Sequence, residues 1–419
     1  MTLLDDRRTV DPVRWPDVAT VPARRMRARV ARRLFEHVVR DLPLHVVLPD
    51  GTELGQGGDH GPVMSLLRPH DFYARIGASG LVGLGEAYMA GDWEADDLTD
   101  VMSVFAERVS TLVPPRLQRL RDIAVLRHPT QHDNLKHQAR LNISHHYDLS
   151  NDLFALFLDP TMTYSSGLYD GATTLQQAQV RKVERLLDAV GVTVGSEVLE
   201  IGTGWGELAL RAAARGARVR SLTLSEEQRE LALQRVAAAG VSDLVTVDLC
   251  DYRDAQGRYD AVVSVEMIEA VGHAYWPTYF EVLARSLRPH GRVGLQAITL
   301  PHDRMLASRE TYTWIQKYIF PGGFLPSVEA IHEHAGAAGL AVTDDLAFGA
   351  DYARTLNVWH ARFADRAEEV RALGFDHVFR RMWSLYLAYS EAGFRSGYLD
   401  VHQLVLQPRH DVAGPALRR

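Results

Sequence analysis

The sequence predicts an α/β protein: a mainly parallel, helix-covered sheet over the C-terminal part of the chain, preceded by a smaller α+β domain. Three observations lead there. From about residue 180, strand-like and helix-like segments alternate regularly, the pattern of parallel strands joined by crossover helices. The first of those strands runs into the glycine-rich turn Gly202-Thr-Gly-Trp-Gly206 and then into a helix. Before about residue 130 the pattern differs, with an arginine-rich helix, a Pro-Asp-Gly turn and glycine-rich apolar stretches.

In chain order, Arg24, Arg25, Arg27, Arg29, Arg32 and Arg33 crowd one segment in which Met26, Val30 and Leu34 recur at i, i+4 and i+8. That spacing puts one apolar stripe on a helix flanked by arginines. It suits an interfacial helix, or one packed on its own domain with a solvated basic rim. In His45–Thr52 apolar residues run into Pro49-Asp-Gly51, a turn between two short strands. Residues 116–126 read as a helix, and the polar, proline-containing stretch 127–136 marks a boundary between domains at 1–130 and 131–419. Helices follow over 175–190, 207–215 and 226–239, and strands over 197–201, 217–224, 245–249, 261–265 and 292–297. There is no internal repeat and no low-complexity tract.

Composition narrows the function classes. The chain has 419 residues, 46% hydrophobic and 24% charged, enough to bury a real core in two or three domains. A net charge of -7 argues against nucleic acid as partner, since phosphate binding needs a basic surface. The single cysteine, Cys250, leaves no disulfide framework and no Cys-rich metal site, and is expected in the core. The first residues lack the apolar run of a signal peptide, and no stretch reaches the ~20 apolar residues that span a bilayer. The expectation is a cytoplasmic protein. His145 and His146 are adjacent, point different ways on a helix and have no further ligand at suitable spacing, so no metal is expected.

The glycine turn carries the cofactor reading. Glycines permit the tight turn and let backbone approach a ligand without a Cβ in the way. Glu200 lies two residues before the first glycine, no basic residue stands ready for a pyrophosphate, and the turn follows the first strand of the alternating region. These features favour S-adenosylmethionine. The second strand ends on Thr223, Leu224 and Ser225 with Gln228 in the next turn, where such sites usually place an acid. After the third strand, Asp251 and Tyr252 supply an acid and a ring for an adenine. The expected cofactor-binding set is Tyr164, Ser165, Glu200, Gly202, Gly204, Gly206, Thr223, Leu224, Gln228, Asp251 and Tyr252.

Several further motifs come in a fixed order: Asn142-Ile-Ser-His-His-Tyr-Asp-Leu-Ser-Asn151, Met162-Thr-Tyr-Ser-Ser166, the glycine turn, Leu222-Thr-Leu-Ser225, Ile268-Glu-Ala-Val-Gly272, Arg381-Met-Trp-Ser-Leu-Tyr386 and Gly393-Phe-Arg395. In that order they resemble the cyclopropane fatty acid synthases over roughly residues 140–408. The N-terminal part, with Gly83–Trp93, resembles the extra domain of longer, actinobacterial-type members.

The resemblance implies a Rossmann-like methyltransferase fold. It also implies methyl transfer from S-adenosylmethionine to the cis double bond of a phospholipid acyl chain at a membrane surface. The alkene is a poor nucleophile, so the sulfonium leaving group drives the reaction and a carbocation must be tolerated. Aromatic faces stabilise cations, and Tyr164, Trp383 and Tyr386 are candidates. In the family, the resemblance implies, a bicarbonate held by a Cys, a Glu, a His, a Tyr and a backbone group takes the final proton. Glu269 and Tyr386 are matched to the Glu and Tyr, and Ile298 to the backbone position; Ser166 and Gln296 stand where the Cys and His would be. Both can hydrogen-bond an anion but bring neither thiolate nor imidazole. Two alternatives stay open: an anion pocket with weaker electrostatics, or a protein carboxylate as base, for which Glu266 is the candidate.

These departures, with the longer N-terminal domain, lean toward a branch making 10-methylene chains, which a partner reductase saturates to 10-methyl (tuberculostearic-type) chains. Ring closure to a cyclopropane is the alternative on the same substrate. An O- or N-methyltransferase of small molecules, or a catalytically silent lipid- or nucleotide-binding module, fits the motifs less well. The apolar stretch Ile315–Pro326 suits a lid or a wall of an acyl channel equally. The expected setting is cytoplasmic, peripheral to the inner face of the membrane through the N-terminal domain, with a homodimer as one possible assembly.

Overall fold

A computed structural model of the chain describes residues 10–58, 61–108, 150–309 and 311–411. The expected helix at 116–126, the boundary stretch 127–136, residues 142–149 of the first motif and the His145–His146 pair lie outside them. The chain forms two compact units. One comprises Met1–His128, Glu310–Ile319 and Trp359–Tyr398; the other comprises Pro129–Arg309, Phe320–Val358 and Leu399–Arg419. Residues 310–319 and 359–398 thus cluster with the N-terminal part, although they lie within the stretch 131–419 that reads as one domain in sequence. The division also cuts the Ile315–Pro326 stretch.

The first unit holds a four-stranded sheet, β1 (His45–Val47), β2 (Glu53–Leu54), β3 (Val63–Leu66) and β4 (Trp93–Ala95), in the order β2-β1-β3-β4. β1 and β2 are the expected hairpin, with Val46 opposite Leu54; Asp50 accepts from the Thr52 N–H and Gly51 takes a left-handed φ of 82° in the turn. The arginine-rich helix spans Arg25–Val39. It buries Ala31 and Val39, sets Phe35 edge-on against Phe72, and leaves Met26 70% and Val30 63% exposed among exposed arginines. Gly77 lets the helix Pro69–Ser79 approach closely, since a Cβ there would meet the Arg27 backbone at 2.7 Å. The unit also buries charge. Arg75 donates to Asp92 Oδ2 at 2.9 Å and to the carbonyls of Asp17, Val18 and Thr20, while Arg68 reaches Asp92 Oδ1 at 2.8 Å.

The second unit contains a seven-stranded sheet: β5 (Glu197–Ile201), β6 (Arg218–Thr223), β7 (Val245–Leu249), β8 (Tyr259–Val265), β9 (Leu287–Thr299), β10 (Leu340–Ala347) and β11 (Asp400–Pro408), in the order β10-β11-β9-β8-β5-β6-β7. β7, β6, β5, β8 and β9 run parallel; β11 and β10 are antiparallel additions at one edge. Buried apolar residues point to both faces of the parallel strands, as Val198 and Leu199 do on β5 and Val262 and Val263 on β8, because helices cover both faces. One face packs Leu186, Leu187, Ala209, Ala212 and Val236 against Val198, Val219 and Val263; the other packs Tyr279, Phe280, Leu283 and Ile331 against Leu199, Val262 and Leu295. Strand order reverses at β5, whose neighbours are β6 and β8. The crevice beyond the carboxyl ends of β5 and β8 is therefore where an open sheet of this Rossmann-like kind binds its ligand.

Candidate active site

A cavity of about 160 Å³ opens in that crevice. β5 ends at Ile201, and Gly202, Gly204 and Gly206 take φ values of 97°, 52° and 88°, which residues with a Cβ rarely adopt. The turn is pinned under β6, with the N–H groups of Gly202 and Thr203 both donating to the Leu222 carbonyl. Trp205 anchors it from the side through Nε1–H to Asn151 Oδ1 at 2.7 Å. Glu200 is buried at the strand end and accepts from Ser221 Oγ; burial pushes its carboxyl up to about 8.

Of the expected cofactor-binding residues, Tyr164, Ser165, Glu200, Gly202, Gly204, Thr223, Leu224, Gln228 and Tyr252 line the cavity. Thr223 Oγ1 donates to Gln228 Oε1 at 2.9 Å at the end of β6, where both residues line the cavity. Tyr252 brings an aromatic ring, and its buried hydroxyl has no partner among the described residues. Gly206 and Asp251 are not in the lining. Gly206 caps the following helix and packs on Ala232, where a Cβ would lie 3.1 Å from the alanine's own. Asp251 is turned into an ion pair with Arg253, Oδ2 to Nη2 at 2.6 Å. Cys250, expected in the core, is only partly buried and borders the cavity. Tyr164 stands among rings, 5.1 Å from Phe154 and 6.4 Å from Phe157 between centroids.

Most of the residues expected on the acceptor side gather around two carboxylates just beyond β8. Glu266 carries a left-handed φ of 49°, a strained position for any residue but glycine, and it lines the cavity. Its Oε1 accepts from the Ser166 N–H at 3.0 Å and from Gln296 Nε2 at 2.7 Å, and its Oε2 from the Tyr352 hydroxyl at 2.6 Å. Glu269 follows on the short helix Ile268–Val271. Its Oε1 accepts from the Ile298 N–H at 2.5 Å, and its Oε2 is buried without a partner among the described residues. Ser166, Gln296, Ile298 and Glu269 are thus brought together with Glu266. Tyr386 and Trp383 belong to the first unit, on the helix His377–Arg395, with ring centroids 5.2 Å apart.

Burial pushes both carboxyls up, and Glu269 reaches about 8 because the Glu266 charge adds to burial. Glu266 alone has three donors and the attraction of Lys182, all of which favour its charged form against burial, whereas Glu269 has one donor. Lys182 is fully buried, donates to Ser165 Oγ at 2.5 Å, and is pushed down to about 8 by burial despite Glu266.

Three residues in this cluster were missed from sequence. Lys182 had a signal: on the helix Leu175–Ala189 it sits four residues from both Ala178 and Leu186, a charge on the apolar stripe. Tyr352, on the helix Gly349–Asp365, and Gln403, on β11, come from far along the chain and carry no local signature. Among the described residues no group of His, Cys, Asp and Glu is placed to hold a metal ion.

A family model described as mycolic acid cyclopropane synthetase matches residues 134–404. Over 409 residues the chain is 54% identical to a tuberculostearic acid methyltransferase of Mycobacterium tuberculosis, covering 95% of this chain and 96% of that one. It is 36% identical to the cyclopropane-fatty-acyl-phospholipid synthase of Escherichia coli, over 80% of this chain and 85% of that. Among solved structures it is similar to a mycolic acid cyclopropane synthase complexed with SAH and CTAB, with a TM-score of 0.60, 34% identity and coverage of 64% of this chain and 98% of that.

Proposed function

Because this chain belongs to the mycolic acid cyclopropane synthetase family and is an S-adenosylmethionine-dependent methyltransferase, we propose that it methylates the cis double bond of an unsaturated phospholipid acyl chain. The reaction passes through a carbocation and yields a 10-methylene chain, the precursor of a 10-methyl, tuberculostearic-type chain. The observation that carries this choice of product is the likeness, over nearly the whole of both chains, to the tuberculostearic acid methyltransferase. The cyclopropane-fatty-acyl-phospholipid synthase is less similar and overlaps less of the chain, so ring closure is the second reading. Methylation of O or N on a small molecule has no observation in its favour.

S-adenosylmethionine supplies an electrophilic methyl group on a thioether leaving group. The residues suited to hold it are the glycine turn, Glu200, Gln228 and Tyr252, which line one cavity and combine backbone approach, acceptor, donor and ring. Tyr164 and its neighbouring rings offer aromatic faces beside the same cavity, a suitable wall for a cation that water would quench. On the acceptor side we assign roles to Ser166, Gln296, Ile298 and Glu269. Among the described residues no helix is long and apolar enough to cross a membrane. The exposed arginines with Met26 and Val30 support a peripheral, cytoplasmic-face attachment through the N-terminal segment, about 1–130, with catalysis in 131–419. A partner reductase acting on the methylene product, and a homodimer, complete the proposal.

Expression of the chain alone in a host rich in unsaturated phospholipids tests it. Lipid NMR and mass spectrometry should find exocyclic methylene groups; cyclopropane signals instead would move the assignment to ring closure. Label from S-adenosylmethionine appearing only in water-soluble acceptors would end the lipid reading.

A further inference from the structure

The resemblance to cyclopropane synthases implies a bound bicarbonate as proton acceptor, and the residues present do not fit it. Three of the donors matched to such an anion are taken. The Ser166 N–H and the Gln296 amide both point at Glu266, and the Ile298 N–H points at Glu269. The Glu266 side-chain carboxylate collects two of those donors, on a residue held at a φ that glycine would adopt without strain.

The direction of the hydrogen bond that reaches that carboxylate through Gln296 is set from the far end. Arg185, paired with Asp344 at 2.9 Å, has only N–H groups to offer and donates to Gln403 Oε1 at 2.8 Å. Gln403 must then present its NH2, which donates to Gln296 Oε1 at 3.0 Å and to the Lys182 carbonyl at 3.0 Å. Gln296 in turn can only offer its own NH2 to Glu266. The relay delivers a donor, and with the Tyr352 hydroxyl and the Ser166 N–H it suits an acceptor-only, ionised carboxylate. An imidazole at position 296 could titrate; the amide cannot, so the donor persists at every pH.

We propose that Glu266 is the built-in general base of this enzyme, replacing bicarbonate, and that Gln296 and Gln403 are positioning residues for it. This rests on the reading of the reaction as methyl transfer to an alkene. In that reaction the alkene's π pair forms the new C–C bond as the C–S bond breaks with its pair to sulfur. After a hydride shift, Glu266 takes one proton from the added methyl group, and the C–H pair becomes the exocyclic double bond. The protonated carboxyl then loses its proton to water when the site opens.

The test uses the full-length enzyme with unsaturated phospholipid vesicles and labelled S-adenosylmethionine. Wild-type enzyme in carbon-dioxide-free buffer should turn over as fast as with millimolar bicarbonate added. Glu266→Gln should lose at least about 10²-fold in kcat, the scale of a general base, with S-adenosylmethionine affinity kept. Glu266→Gly, which relieves the strained φ and empties the carboxylate's place, should regain turnover when bicarbonate or formate is added. Wild-type turnover that collapses without bicarbonate and returns with it would overturn the inference, as would near-normal turnover in a folded Glu266→Gln enzyme. If that variant does not fold, the bicarbonate arm on wild type decides. Failure of the wild type to label lipid under any condition would instead sink the reading of the reaction.

Discussion

Glu269→Gln separates the two carboxylates by pH. In the fold, Glu269 receives one donor, the Ile298 N–H, while its other oxygen is buried beside the Glu266 charge without a partner among the described residues. Its carboxyl is pushed from the ordinary 4.5 up to about 8, chiefly by burial and then by Glu266. A carboxyl raised in this way gives its full contribution to stability below pH 4.5 and loses it as the pH climbs toward 8, because the unfolded chain ionises and the folded one does not. Each pH unit in that window costs about 1.4 kcal/mol, so between pH 4.5 and 7 the wild type gives up about 3 kcal/mol through this one group. Glutamine keeps the shape of the neutral acid and its acceptor for Ile298, and it does not titrate. Urea unfolding of both proteins, followed by tryptophan fluorescence across pH 4.5 to 8.5, should show the variant gaining on the wild type by about 3 kcal/mol up to pH 7 and about 4 kcal/mol by pH 8.5, levelling off above pH 8. Parallel stability curves would refute the reasoning, because they would mean that Glu269 is ionised in the folded protein. Turnover at pH 7 should fall far less in Glu269→Gln than in Glu266→Gln.

Gln403→Leu removes the group that orients Gln296. It should lower kcat about tenfold with the KM for S-adenosylmethionine unchanged, and move the acid limb of the kcat profile to higher pH, since an ionised Glu266 with a poorer donor binds its proton more tightly. Replacing Arg24, Arg25 and Arg29 together by glutamine should weaken binding to anionic vesicles by about 3 kcal/mol, roughly 1 per charge, in a sedimentation assay; unchanged binding would return the helix to a purely structural role. Gly204→Val forces a side chain onto a φ of 52° beside the cavity and should abolish measurable S-adenosylmethionine binding by calorimetry while leaving the first unit folded. Arg75→Met leaves Asp92 Oδ2 and three carbonyls without their donor inside the first unit, although Arg68 still holds Asp92 Oδ1, and should cost about 3 kcal/mol, read as a lower Tm.

Local rules account for what could be read from the chain alone. β5 and β7 begin and end where alternation and flanking turns place them, and the helices after β5 and β6 differ by a residue at one end. These elements are legible because strand period, glycine turns and caps act over a few residues: Ser225 caps the helix Glu226–Ala238, and Thr174 and Gln177 box the start of the helix Leu175–Ala189. The β-strand over 292–297 was seen as half its length, because Pro289, His290 and Gly291 look like a turn, whereas pairing with β8 and β11 extends it across Leu287–Thr299. Most of the residues expected to hold the cofactor share one cavity for the same local reason, since they sit in short loops at strand ends.

The sequence by itself therefore determined the parallel sheet, the glycine turn and the cofactor, all set by contacts close along the chain. Only the tertiary structure decided how the acceptor side is wired. Ser166, Lys182, Glu266, Gln296, Tyr352 and Gln403 come from six separate stretches, and which amide faces which carboxylate depends on a polarity that starts at Arg185. It also decided that Asp251 spends its charge on Arg253, and that Glu266 rather than Glu269 collects the donors. Burial and hydrogen-bond partners set a carboxyl's charge, and both are properties of the folded neighbourhood, which no window of sequence contains.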